Sequence, residues 1–242
     1  MNVEREFATS PNAERVEAFR ERVRKALAHD LRTPLGTIAN YATILEYYDH
    51  GESEEARVFG GRIRASAMRL SAMLDELAEA WKLASAPSLP AEVDPAGLLR
   101  ELLASTGIRA TYLGDDAGSS ARCTLDAALL GYAWRAFLRL QAESSARELL
   151  ELELHVEPSV AGTCVELRSG ALELRSEAAA GPPGEPLRAT AFARQPSNRP
   201  TLDGGFALSL AEDLIRLHGG AFELWGRPGA AARLSIAFPR LP

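Results

Sequence analysis

Cysteine is scarce. The 242 residues contain two, Cys123 and Cys164, far apart and without metal-ligand spacing. That excludes a disulfide-stapled scaffold and a cysteine metal cluster, and it fits buried reduced thiols in a cytosolic protein. Long apolar runs are missing as well: no stretch of about eighteen apolar residues exists, and residues 1–10 are polar, with no signal-peptide core. The expectation is a soluble, cytoplasmic chain with no membrane contact. Almost no room is left for a further folded domain ahead of the first helix. Positive charge is also in deficit. The 27 Lys and Arg against 33 Asp and Glu leave a net charge of −6, which argues against a nucleic-acid binder with a basic face. Lys25 and Lys82 are the only lysines, so 25 of the 27 cationic residues are arginine; Arg-biased coding accounts for this simply. What remains is ordinary for a soluble globular chain, 46% apolar and 25% charged, with length for two modest domains.

Hydrophobic periodicity predicts a first helix over residues 11–48, capped by Ser10 with Pro11 in its first turn. Val16, Phe19, Val23, Leu27, Leu31, Leu35, Ile38, Ala42 and Leu45 recur in steps of three or four, one seam on a 3.6-residue repeat. Residues 49–53 carry turn chemistry, with Gly51 placed to end that helix. A second seam follows at Phe59, Ile63, Ala67, Leu70, Leu74, Leu77 and Trp81. An antiparallel pair of long helices leaves an apolar stripe too wide to cover alone, so pairing two hairpins as a four-helix bundle is expected. A monomeric hairpin folded onto the rest of the chain is the alternative.

Residues 85–91, small and proline-bearing, read as a linker. Beyond it the pattern is mixed α/β. Asp94-Pro95 looks like a cap and helix start, and 108–113 and 122–124 look like short strands. Residues 125–141 should be a helix, and 149–156 and 163–168 a strand hairpin. Residues 177–200 lack periodicity and read as a long loop. Gly204-Gly205 opens a helix through 217, and 221–225 with 233–238 form a closing antiparallel pair. The expected fold is α+β overall: residues 1–10 disordered, a helical hairpin over 11–84 forming a dimeric bundle, then an α/β sandwich over 92–242.

Within the first helix, His29 lies about 200° around from Leu27 and Leu31, pointing away from the seam. A lone helical histidine is usually just solvated. Here Asp30 adjoins it, and Thr33-Pro34 follow. The run His29-Asp30-Leu31-Arg32-Thr33-Pro34-Leu35 resembles the phospho-acceptor box of sensor histidine kinases. A phosphoryl-carrying histidine must be exposed for in-line approach of donor and acceptor, and needs a neutral ring nitrogen near pH 7. The resemblance implies that His29 is the phospho-acceptor and Asp30 the general base that holds its tautomer. It implies for Thr33 a role in positioning water for dephosphorylation of a partner, although a helical hydroxyl often bonds only its own backbone. Pro34 should kink the helix. Arg32, Gly36, Thr37, Asn40 and Tyr41 are the candidate docking residues for the implied partner, the receiver domain of a response regulator; small residues there could equally serve a helix crossing. An upstream hybrid kinase is a further implied partner.

The same resemblance sets expectations for a nucleotide. Kinases of this family hold Mg–ATP with an asparagine-bearing helix, an Asp-x-Gly-x-Gly segment at the adenine, and a Gly-x-Gly-Leu-Gly run cradling phosphates by backbone N–H groups. Here the matching helix, Leu129-Leu130-Gly131-Tyr132-Ala133-Trp134-Arg135-Ala136-Phe137-Leu138-Arg139, has no asparagine; Arg135 or Arg139 stands in that place. Val165-Glu166-Leu167-Arg168-Ser169-Gly170-Ala171-Leu172 has no aspartate. Asp203-Gly204-Gly205-Phe206-Ala207 puts Phe206 and Ala207 where glycine is wanted. Degenerate nucleotide-site candidates are thus Arg139, Gly170, Gly204 and Gly205. The series from Leu208 to Gly220 and the strand 233–239 resemble the end of that fold closely, and His218 reads as a helix-terminus residue. No metal and no cofactor is expected. The implied activity is phosphoryl exchange between His29 and receiver aspartates. The rivals are an ATP-dependent kinase with a divergent nucleotide site, bringing ATP and magnesium, and a non-catalytic scaffold.

Overall fold

A computed structural model describes residues 16, 19–21, 23, 31–47, 54–112, 122–145, 149–159, 162–169, 204–226 and 231–239. The chain divides into two compact units, residues 1–74 and 75–242.

In the first unit, helix α1 spans Arg32–Tyr47 and helix α2, Glu54–Ser85, runs past the division. Residues 16, 19–21 and 23 are helical. A single uninterrupted helix over 11–48 is not what forms, because Leu31 sits in a turn and α1 begins at Arg32. Proline at position 34 explains the break: it has no N–H to carry a helix ladder through the preceding turn, but costs nothing inside a first turn. The restart also moves the seam. Leu31 and Pro34 are buried, whereas Leu35 is 51% exposed. In α2 the expected seam holds at Phe59, Ile63, Leu70 and Leu77, joined by buried Met73 and Ala80, whereas Ala67, Leu74 and Trp81 are exposed. Tyr41 stacks on Phe59, centroids 5.5 Å apart, and the Arg62 guanidinium lies 5.2 Å from the Tyr41 ring centre. These contacts join α1 to α2. The predicted cap at Ser10 and stop at Gly51 lie outside the described residues, as does the loop over 177–200.

The second unit holds the last turns of α2, then β1 (Ala91–Val93), α3 (Pro95–Thr106), β2 (Ala110–Tyr112), β3 (Cys123–Leu125), α4 (Ala127–Ser144), β4 (Leu150–Ser159), β5 (Gly162–Ser169), α5 (Gly204–Leu217), β6 (Ala221–Gly226) and β7 (Ala232–Pro239). Five strands form a sheet in the order β2-β4-β5-β7-β6, with only β2 and β4 parallel, while β1 and β3 make a separate antiparallel pair. β5 alternates half-buried and buried along its whole length, as a strand with one covered face must. The covering layer is helical: α4 packs beside α5, and α3 against α4. Trp134, Phe137, Leu130 and Leu138 of α4 are fully buried, and with Leu167, Leu224, Leu234 and Ile236 they make the core.

Two aspartates start helices. Asp94 accepts from Ala96 N at 3.0 Å with Pro95 beside it, and Gly107 closes α3 in the left-handed conformation. Asp126 does more. Its Oδ1 accepts from Ala128 N and Leu129 N at 3.0 and 3.2 Å, and its Oδ2 accepts from Ser88 Oγ and Leu89 N at 3.1 and 3.0 Å. Leu125 therefore ends a strand rather than starting the helix, because the carboxylate one residue on is the better cap. The same carboxylate holds the segment read as a linker, which is tied down at Ser88 and Leu89 and enters β1 at Ala91.

Candidate functional site

The residues read from the phospho-acceptor run fall in four groups. His29 and Asp30 lie outside the described residues. Arg32, Thr33, Gly36 and Asn40 are all exposed on α1, spaced at helical intervals on one side. A Cβ placed on Gly36 would meet nothing within 4 Å, so that side is open. Thr37 is half-buried, its hydroxyl donating to Thr33 O at 3.1 Å, the backbone bond expected of a helical threonine. Tyr41 is the exception, being engaged inside the hairpin by Phe59 and Arg62. Sequence placed it on the docking side; its ring instead fills the gap between the two helices.

In the second unit, α4 presents Arg135 and Arg139 to the end of α2. Arg135 pairs with Glu79, and Arg139 with Glu76, both through close guanidinium–carboxylate contacts. Tyr132, buried between them, donates to the Glu76 carbonyl at 3.4 Å. Burial and the neighbouring Glu76 carboxylate push its phenol well above the ordinary tyrosine range. The Arg135 guanidinium lies 5.9 Å from the Tyr132 ring centre. His218, at the end of α5, has Nε2 3.3 Å from Leu83 O, so it contacts the last turn of α2. Glu76 and Glu79 escaped the sequence reading because they lie about sixty residues from their partners. The available signal was two acids three apart facing two arginines four apart.

The remaining nucleotide candidates are sparse. Gly170 lies outside the described residues, and Gly204 and Gly205 open α5. Mg–ATP requires oxygen donors for a hard cation. The α4 surface that should supply them carries guanidinium groups already neutralised by carboxylates, and among the described residues no three His, Cys, Asp or Glu side chains cluster to hold a metal. The thiols are not reactive centres either. Cys123 is buried, with its pKa raised by that burial and by Asp94, and Cys164 is half-buried against Ser235 Oγ at 3.2 Å.

Comparison with known proteins points the same way as the sequence resemblance. Residues 20–84 match the His Kinase A phospho-acceptor domain. The sensor-like histidine kinase SenX3 of Mycobacterium tuberculosis is 26% identical over 243 residues, covering 94% of this chain and 55% of SenX3; SenX3 of Mycobacterium bovis matches equally. These similarities are all to sensor histidine kinases and their phospho-acceptor domain. It spans about half the length of the curated relatives it matches. The fold agrees. The histidine kinase AdeS of Acinetobacter baumannii superposes with a TM-score of 0.56 at 14% identity, covering 87% of this chain and 97% of AdeS. The histidine kinase ThkA, solved in complex with the response regulator protein TrrA, gives the same TM-score at 16% identity, covering 95% of this chain and 66% of that one. The N-terminal helical region and C-terminal α/β domain of this family are both present. Among the described residues, no helix is long and apolar enough to cross a membrane.

Proposed function

We propose that the chain is a phosphoryl station of a two-component relay: His29 takes a phosphoryl group from a receiver aspartate and passes it to another receiver. In this reading Asp30 accepts the proton released when the imidazole attacks, and Arg32, Gly36 and Asn40 form the open landing face. Thr33, four residues on in sequence and exposed on α1, is the residue to which this reading assigns the positioning of water. ThkA's complex with a response regulator supports the choice of partner class. A homodimer supplies the bundle. Leu35, Val58, Met68 and Leu74 are 51%, 44%, 67% and 46% exposed, more apolar surface than a hairpin leaves uncovered.

The observation that carries the reading is on α4. Its two arginines, one or other of which stands where the family resemblance calls for asparagine, are paired with Glu79 and Glu76. ATP-driven self-phosphorylation is the rival, favoured by the alignment with SenX3 along 94% of the chain. Calorimetric titration of the dimer with Mg–ATP separates them. The relay reading expects a dissociation constant weaker than about 1 mM, whereas binding in the low micromolar range, with saturation near one nucleotide per chain, would favour the kinase.

A further inference from the structure

The end of α2 is held to the C-terminal domain in an unusual way. A cleft of 370 Å³ separates its last turns from α3 and α4, walled by Leu83, Leu98, Leu102 and Gly131. Leu77 and Ala80 of α2 are buried, but the side-chain bonds that tie this stretch to the domain are polar: Arg135 to Glu79, Arg139 to Glu76, Tyr132 to the Glu76 carbonyl, and His218 to the Leu83 carbonyl. Interdigitated apolar side chains would fill such a cleft and lock it. Partly exposed ion pairs hold weakly, are screened by salt, and gain mainly when several act together. Here the carboxylates are 45% and 13% exposed and the guanidinium groups 34% and 39%. Helix α2 has no glycine or proline between Arg62 and Ser85, so a shift of its stem is carried along the helix to this contact.

We propose that Glu76 and Glu79 with Arg139 and Arg135 form a reversible electrostatic latch, which opens to release residues 75–85 from α4 while the rest of the domain stays folded. The two glutamates act as tethered anions. When the latch is shut they neutralise the cationic side of α4; when it is open, Arg135, Arg139 and Tyr132 are uncovered together. The proposal rests on this geometry and not on phosphotransfer by His29, and its test needs no phosphoryl donor.

Amide hydrogen exchange on the full-length chain reads the latch directly. Exchange across residues 75–85 is expected to quicken several-fold between about 50 and about 500 mM salt, with β4, β5 and β7 unchanged. Glu76→Gln with Glu79→Gln should quicken it roughly tenfold already at low salt and remove the salt dependence. Exchanging the charges, Glu76→Arg and Glu79→Arg with Arg135→Glu and Arg139→Glu, should restore protection. Three results would overturn the proposal: unchanged exchange in the double glutamine variant, quickening spread equally over the sheet, or a charge-exchanged protein that folds but stays unprotected.

Discussion

Changing His29 to glutamine is expected to abolish phosphoryl acceptance, by on the order of a thousandfold or more, because glutamine keeps the polarity and size but has no nucleophilic ring nitrogen. The fold should tolerate the change, since glutamine is close to histidine in size and polarity. Circular dichroism and the melting temperature should stay as in the parent chain. Asp30→Asn tests the supporting carboxylate. It removes the proton acceptor and leaves the nucleophile, so the transfer rate should fall about a hundredfold or more, with docking to the receiver unchanged. A fall in docking instead would make Asp30 a contact residue. Stopped-flow transfer, with receiver concentration varied, distinguishes the two.

The largest expected effect on stability is at Asp126. Its two carboxylate oxygens receive four donors, two from the first turn of α4 and two from Ser88 and Leu89, and the residue is only 7% exposed. Alanine removes the helix cap, at about 1 kcal/mol, and leaves two more part-buried donors unsatisfied. The total should be near 3 kcal/mol, a fall in melting temperature of about 6–12 °C for a domain of this size. Asn, which keeps one carbonyl oxygen toward Ala128 and Leu129, should lose about half as much. Denaturant unfolding checks both. Equal losses for Ala and Asn would mean that the Ser88 and Leu89 bonds dominate over the cap.

Much of this architecture was legible because it is local. The helix start at Asp94, the β4–β5 hairpin, the Gly204 opening of α5 and the final strand pair each depend on residues within a few positions of one another, whereas the start of α4 was read early, at Leu125, with Asp126 overlooked as its cap. The phospho-acceptor run was legible for the same reason, as consecutive residues with one chemistry. The failures were failures of phase and of distance. Pro34 was read as a kink in a continuing helix, but α1 restarts at Arg32, and the restart rotates Leu35 outward. Tyr41 was placed with the docking residues because its partners, Phe59 and Arg62, lie across a helical turn that periodicity does not position. The residues taken for a linker are fixed by Asp126, more than thirty positions away. The arginines of α4 were noticed for what they replace; what they bind, Glu76 and Glu79, needed the folded chain.

The central claim is that His29 is charged by receivers and not by ATP. One labelling experiment tests it most directly. The purified protein is incubated in parallel with labelled Mg–ATP and with a panel of receiver domains carrying labelled phosphoaspartate. The account predicts no label on the chain from ATP, and rapid, reversible label from at least one receiver, lost in His29→Gln. Robust label from ATP that disappears in His29→Gln would contradict it and make the chain a kinase; no label from either source would leave His29 without the role assigned to it.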